Sequence, residues 1–383
     1  MQAFNQRIEQ TLQTRINQGL DRQLRCVEGG NQLMICRDNQ QWVNFASNNY
    51  LGLANDDKVV LAWQQGLRLF GAGSGASPLV TGHSTAHQML EDKLCDWLGF
   101  ERAILFNSGF SANQALLFSL LEKGDVVFQD KLNHASLIEA AMLSPATLKR
   151  FAHNDVEDLS RKLANVDASS LVVTEGVFSM DGDVAPLKDI AQIQGNALFA
   201  VDDAHGIGVL GEKGGGSCQA AGVKPNFLVV TFGKALGISG AAIMCDATAG
   251  DYLTQMARHF VYSTAMPPAQ AYALTQAINQ VQHDDWRRTK LDELSDYYEQ
   301  SMCHLPGFRS TPTAIKPFII GDSARALDCA KFLSQHGIWL SAIRAPTVAR
   351  HQARLRITLT ALHEQSHIDQ LAEHVEQWLE VSA

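Results

Sequence analysis

LVVTEGVFSMDGDVAPLKDIAQIQGNALFAVDDAHGIGVLG, residues 171–211, is the stretch that decides how this chain folds. Its apolar runs Leu171–Thr174 and Leu198–Val201 are short, rich in branched residues and bounded by polar turns, as buried strands are. Between them, residues 186–194 carry the spacing of an amphipathic helix. Strand, helix, strand is the crossover that joins parallel neighbours. The texture continues outward to Ala103–Phe106, Val126–Phe128 and Leu148–Phe151 on one side, and to Leu228–Thr231 and Ala241–Cys245 on the other. Helical stretches near 111–121, 134–142 and 154–164 separate the earlier strands. The pattern predicts an α/β fold with a large, mainly parallel, seven-stranded sheet covered on both faces.

The flanks read differently. Phe4, Ile8, Leu12, Ile16 and Leu20 recur every four residues, so the chain opens with an amphipathic helix whose stripe is read as a packing face. Gly29-Gly30 ends that pattern, and Leu33–Cys36 and Trp42–Phe45 look like short strands. Beyond Pro267-Pro268 a long helical region, about 269–303, leads to strands near Phe318–Ile320 and Leu355–Leu359 and helices near Ser323–Gln335 and Ser366–Leu379. The expected units are 1–46, an N-terminal helix with short strands; 47–285, the large domain; and 286–383, a smaller C-terminal α+β domain.

A net charge of −9 argues against a nucleic-acid surface, which needs clustered Lys and Arg. Seven scattered cysteines with no CxxC spacing read as reduced, mostly buried thiols, with no metal site. The first residues lack the apolar core of a signal peptide, and no run is long enough to cross a bilayer, so a cytoplasmic protein is expected.

Ligands of such sheets sit beyond the carboxyl ends of the strands. After Ala103–Phe106 comes Asn107-Ser108-Gly109-Phe110, a polar turn opening a helix and therefore either a phosphate cradle or only a capped helix. After Leu198–Val201 comes Asp202-Asp203-Ala204-His205. Asp202 could keep a pyridine nitrogen protonated and His205 could meet a ring hydroxyl; the plainer alternative is a surface turn. After Leu228–Thr231 comes Phe232-Gly233-Lys234, a lysine between two apolar strands. It is either an exposed loop residue or a desolvated amine ready for Schiff-base chemistry. Thr231 could add a hydroxyl to a phosphate. Phosphate cup, ring-nitrogen carboxylate and activated lysine together are what pyridoxal 5'-phosphate (PLP) requires.

The blocks SNNYLGLA (47–54), GAGSGASPLVTGHSTAHQMLE (71–91), FNSGFSAN (106–113), DKLNHASL (130–137), TEGVFSMDGDVAPL (174–187), VDDAHGIGVLG (201–211), TFGKALGISG (231–240), IRAPTV (343–348) and RLRITLTALH (354–363) resemble the α-oxoamine synthases, a family of fold-type-I PLP enzymes. The resemblance runs through nearly the whole chain. It implies that Lys234 carries the cofactor, that Asp202 pairs with the ring nitrogen and that His134 stacks on the ring. His205 and Ser179 would lie by the ring hydroxyl, and Ser108, Gly109, Phe110 and Thr231 would hold the cofactor. It further implies a homodimer in which Thr264 reaches the neighbour's phosphate. Arg344 would bind an amino-acid carboxylate, with Arg22 (or Arg25), Asn48 and Thr347 on the substrate side. Within the family, residues 71–91 favour condensation of L-alanine with a pimeloyl thioester on coenzyme A or acyl carrier protein, a step toward biotin. The alternative is a sibling such as glycine C-acetyltransferase. Pro78 departs from the family pattern, which usually has Arg there.

Three other patterns compete. Gly206 to Gly211 spells GxGxxG after a strand, but Glu212-Lys213-Gly214-Gly215 is a poor helix start for a dinucleotide fingerprint. His363 to His367 spells HExxH without an evident third zinc ligand. His83 and His87 have no nearby thiol or carboxylate to complete a site.

Overall fold

A computed structural model describes residues 2–22 and 24–382. The strands are β1 (Met34–Arg37), β2 (Gln40–Asn44), β3 (Arg102–Phe106), β4 (Val126–Asp130), β5 (Thr147–Phe151), β6 (Ser170–Glu175), β7 (Leu198–Asp202), β8 (Phe227–Thr231), β9 (Ala241–Cys245), β10 (Ile315–Gly321), β11 (Ile338–Trp339), β12 (Ser341–Ile343) and β13 (Ala353–Thr358). β3 to β9 form one seven-stranded sheet in the order β3-β9-β8-β7-β6-β4-β5. Only β9 runs against its neighbours. The expected large sheet is therefore present, and its strands begin and end within a few residues of the apolar runs.

The sheet is buried on both faces because successive residues point to opposite sides. Phe128, Val172 and Val201 join the core on one face, while Val127, Val173 and Ala200 join the other. With all strands but β9 parallel, the carboxyl ends of β3, β4, β6, β7 and β8 share one edge.

The smaller C-terminal domain is built on β10-β13-β12. The N-terminal strands do not stand apart: β2 pairs in parallel with β11, Val43 opposite Ile338. The long helical region predicted over 269–303 is two helices, Pro268–His283 and Asp285–Met302, which meet at the non-helical Asp284. Helices Asp57–Phe70 and Thr85–Leu98 were not anticipated. The first helix spans Gln2–Asn17, and its stripe does not pack against the rest of this chain: Phe4, Ile8, Leu12 and Ile16 are each more than half exposed. Only three of the seven cysteines, Cys218, Cys245 and Cys329, are buried. Among the described residues no helix is long and apolar enough to cross a membrane.

Candidate active site

The shared edge carries a cavity of 330 Å³ lined by residues from five strand ends. β3 supplies the turn Asn107–Phe110. There Ser108 caps the helix Gly109–Leu120, accepting from the Ser111 N–H at 3.1 Å, and Gly109 and Phe110 of its first turn line the cavity. Gly109 is required by packing: a Cβ at this position would lie 2.5 Å from Thr231 Cγ2 of β8. β4 leads to His134, which caps Ala135–Leu143 with its own ring nitrogen. Burial keeps the His134 pKa below that of an ordinary imidazole; Asp202 opposes this and Lys234 adds to it.

β6 and β7 end side by side, with Glu175 paired to Asp202 in register. Asp202 is buried and held by two donors, Asn113 Nδ2 at 2.7 Å and the Ala204 N–H at 3.0 Å. Glu175 is also buried, and burial beside the Asp202 charge raises its pKa well above the usual carboxyl range. Lys234 enters from the loop after β8. Burial lowers its amine to about 8, against the opposing pull of Asp202 and Glu175. His205 is held far below its ordinary pKa by burial and by the Lys234 and Arg356 charges, so it is neutral at physiological pH. Its Nδ1 lies 2.6 Å from the hydroxyl of Tyr50.

These features fit PLP. The volume is at the small end of cofactor pockets, enough for one substituted ring. A helix start would suit the phosphate, a fixed carboxylate would suit the ring nitrogen, and a lysine with a lowered pKa lines the same cavity. Among the described residues, the buried Asn113 Oδ1 and Glu175 Oε1 have no hydrogen-bond partner.

The family model for class I and II aminotransferases matches residues 40–375. The chain belongs to that family. It is 60% identical over 381 residues to an 8-amino-7-oxononanoate synthase of Vibrio parahaemolyticus, covering 99% of each. Among solved structures it resembles a serine palmitoyltransferase of Sphingomonas wittichii, with TM-score 0.91, 28% identity and coverage of 99% of this chain and 98% of that one. A serine palmitoyltransferase variant of S. paucimobilis with a bound PLP–myriocin aldimine gives TM-score 0.91, 25% identity and coverage of 98% and 97%.

Within this family architecture, Asn48, Ser108, Gly109, Phe110, His134, Asp202, His205, Thr231 and Lys234 line the one cavity. Five residues singled out from the sequence do not. Ser179 presents its backbone carbonyl to Arg356 Nε at 2.7 Å rather than lining the cavity. Thr264 is exposed, and its carbonyl accepts from Asn107 Nδ2 at 2.9 Å. Thr347 is exposed on the loop after β12. Arg22 and Arg344 line a separate cleft, where Arg344 donates to the Gly19 carbonyl.

Sequence reasoning missed Arg356. This buried residue of β13 donates from Nη1 to Asn48 Oδ1 and Thr358 Oγ1, each at 3.0 Å. The block RLRITLTALH drew attention to the region but not to which arginine turns inward. Tyr50 and Glu175 were quoted in blocks without a role.

The competing motifs have local explanations. Gly206 packs on a buried carboxylate: a Cβ there would lie 2.2 Å from Asp203 Oδ1. Asp203 in turn accepts from the backbone and hydroxyl of Ser217 at 2.8 and 2.6 Å. His363 is buried, stacked on Phe45 with centroids 4.3 Å apart, and its Nδ1 accepts from the Thr360 N–H. His367 caps the last helix through the Glu364 N–H. His83 does have a carboxylate partner, Glu91 at 3.1 Å, and His87 lies 2.8 Å from the Met266 carbonyl. Among the described residues no three metal-ligating side chains are grouped to hold an ion.

Proposed function

We propose that the protein is an 8-amino-7-oxononanoate synthase, a PLP-dependent acyltransferase of biotin biosynthesis. It joins L-alanine to a pimeloyl thioester with release of carbon dioxide and the carrier thiol. The observation that carries this reading is the meeting of Lys234, Asp202, His134 and a capped helix start at one cavity, in a chain so similar to a relative of that name.

When bound, PLP supplies an aldehyde that takes up amines and a protonated ring that withdraws electrons from the attached carbon. Lys234 would anchor it, with the first-turn N–H groups at Gly109 and Phe110 and the Thr231 hydroxyl on its phosphate. Asp202 would hold the proton on the ring nitrogen, and His134 would cover one ring face. Neutral His205, fixed by Tyr50, would face the ring hydroxyl. Once freed by the incoming amino acid, the Lys234 amine has a pKa near enough to neutrality to take the α-proton at Nζ and return it.

For the alanine carboxylate, the geometry favours Arg356 beside Asn48 over Arg344. Arg356 already reaches a cavity-lining side chain, whereas Arg344 is engaged at Gly19. Arg22 and Thr347 remain on the substrate side in the proposal, and Ser179 is assigned a backbone role in orienting Arg356. A cytoplasmic homodimer belongs to the same proposal. It is supported by the exposure of Thr264 and by the unpartnered apolar stripe of the first helix. The division at 46 and 285 is also proposed, the second boundary resting on the helix break at Asp284.

The test measures thiol release by purified, PLP-loaded protein given L-alanine or glycine with pimeloyl, acetyl or succinyl thioesters, with Lys234→Ala as the inactive reference. Release should require alanine and a pimeloyl donor. Preference for glycine with a short donor would move the assignment to a sibling such as glycine C-acetyltransferase, and turnover by Lys234→Ala would remove it.

A further inference from the structure

A second cleft, 1060 Å³ in volume, opens between residues 21–25, β2, the helix Ser323–Gln335 and the β11–β12 segment. Its charge is unusual for a chain of net −9. Arg22, Arg25, Lys331 and Arg344 line it, against the single carboxylate of Asp21. Among the described residues, none of these four cations lies within ion-pair distance of a carboxylate, although the chain forms such pairs elsewhere, as at Arg354–Asp181 and Arg287–Asp56. Unneutralised cations gathered in a concave site repel one another and draw a multiply charged anion. Guanidinium forks and an ammonium are the groups that bind phosphate.

The cleft is also shaped for more than an anion. The Arg25 guanidinium lies over the Trp339 ring, 5.6 Å from its centroid. Trp42 meets Trp339 edge-on at 5.5 Å and is fixed by its Nε1, which donates to the Ser334 carbonyl at 2.7 Å. These indoles offer a rigid apolar wall beside the charges.

The cleft adjoins the Lys234 cavity. Ser341 of the cleft stands opposite Arg356 in the β12–β13 register, so their side chains share one face of the sheet. Arg356 reaches Asn48, which lines the cavity. The cleft and the Lys234 cavity are therefore linked through Arg356 and Asn48.

We propose that this cleft binds the phosphorylated pantetheine arm of the acyl thioester, with Arg25 and Lys331 on the phosphate and the indoles along the arm. The inference rests on reading the Lys234 cavity as the site of thioester condensation. Coenzyme A and acyl carrier protein present the same arm, so the experiment uses both.

Steady-state kinetics of PLP-loaded parent, Arg25→Gln, Lys331→Gln and the double variant would be compared with three donors: pimeloyl-coenzyme A, pimeloyl-acyl carrier protein and the pimeloyl thioester of N-acetylcysteamine, which lacks the phosphate. Loss of one charged contact should raise KM roughly tenfold for both phosphate-bearing donors. KM for alanine, kinetics with the truncated donor and the melting temperature should stay at parent values. Added salt should raise the parent's KM for the phosphate-bearing donors alone. Equal KM rises for the truncated donor, or no rise for any donor, would overturn the proposal. A rise confined to coenzyme A would place the contact on its nucleotide, and one confined to the carrier protein on that protein's surface; either outcome also overturns it. If the parent releases no thiol from any pimeloyl donor, the reading of the Lys234 cavity fails instead.

Discussion

Replacing Gly109 with alanine tests whether the phosphate end of the cavity is set by packing against β8. The added Cβ would stand 2.5 Å from Thr231 Cγ2, where carbon atoms in contact keep about 3.5–4.0 Å. Thr231 cannot give way easily, because it is buried at the end of a strand flanked by β7 and β9. The first turn of the helix Gly109–Leu120 must therefore move by about 1 Å, carrying its N–H groups away from the cavity. Overpacking of this kind costs about 1–3 kcal/mol. Where that cost falls on the cofactor-bound geometry, PLP affinity drops by roughly 5- to 150-fold. Thr231→Ser removes the offending methyl and keeps the hydroxyl, so the double variant should recover most of the loss. The expected coupling is about 1–2 kcal/mol. PLP titration of the apo protein, followed by absorbance, reads the affinity, and thermal unfolding reads stability. The reasoning is refuted if Gly109→Ala binds PLP within twofold of the parent, or if the double variant binds no better than Gly109→Ala alone.

Uptake of PLP by the apo protein should accelerate with rising pH and level off above about 8, the pKa of the Lys234 amine; a rate still climbing at pH 10 would show an ordinary lysine. Arg356→Lys keeps the charge but loses the fork that spans Ser179, Asn48 and Thr358. It should raise KM for alanine at least about tenfold with little change for the acyl donor, checked by varying each substrate in turn. His153 bridges Asp130 and Asp183 at 3.0 and 2.6 Å. Burial lowers its pKa, but the two carboxylates outweigh this and lift it to about 10. Because the folded value lies above the unfolded one of about 6.5, the bridge stabilises fully below pH ~6.5 and is lost as pH rises toward 10. His153→Gln should cost about 1–2 kcal/mol at pH 6, allowing for solvent screening of a partly exposed ring, and much less at pH 10. Urea unfolding at the two pH values reads the difference.

The seven-stranded sheet was legible because its strands are apolar runs bounded by turn residues, a signal that burial on both faces imposes. Asp202, Lys234 and the Asn107–Phe110 turn were legible for a related reason: chemistry in such sheets sits where the strands stop. The helices Asp57–Phe70 and Thr85–Leu98 were not read, although Ala86, Leu90 and Leu94 recur every four residues and are fully buried. Attention to strand-like runs left that spacing unweighed. Arg356 was beyond local reading. In RLRITLT, alternation suggests that arginines face water, yet every residue of β13 is buried because β10 and β12 flank it and the large domain covers it. Only long-range pairing decides which arginine reaches Asn48. Arg344 drew a role from resemblance, while its surroundings are set by the contact with Gly19, 325 residues away in sequence.

The same dependence on pairing governs protonation at the cavity. Two neighbouring carboxylates in a low-dielectric site do not both ionise readily. The register that sets Glu175 beside Asp202 therefore leaves one of them neutral, and the difference in their partners decides which. Asp202 receives Asn113 and a backbone N–H, whereas Glu175 has only the His134 backbone N–H and an Oε1 with no partner among the described residues. Glu175 is accordingly the carboxyl that burial holds protonated, and Asp202 is the one a pyridinium proton would meet. A shift of β6 by one residue would turn Glu175 to the opposite face, together with Val172 and Val173. Those valines belong to different cores, so the packing that fixes the sheet also fixes which carboxylate is ionised. Charge placement at this site is thus a property of the β6–β7 alignment, and it cannot be changed without disturbing both hydrophobic layers.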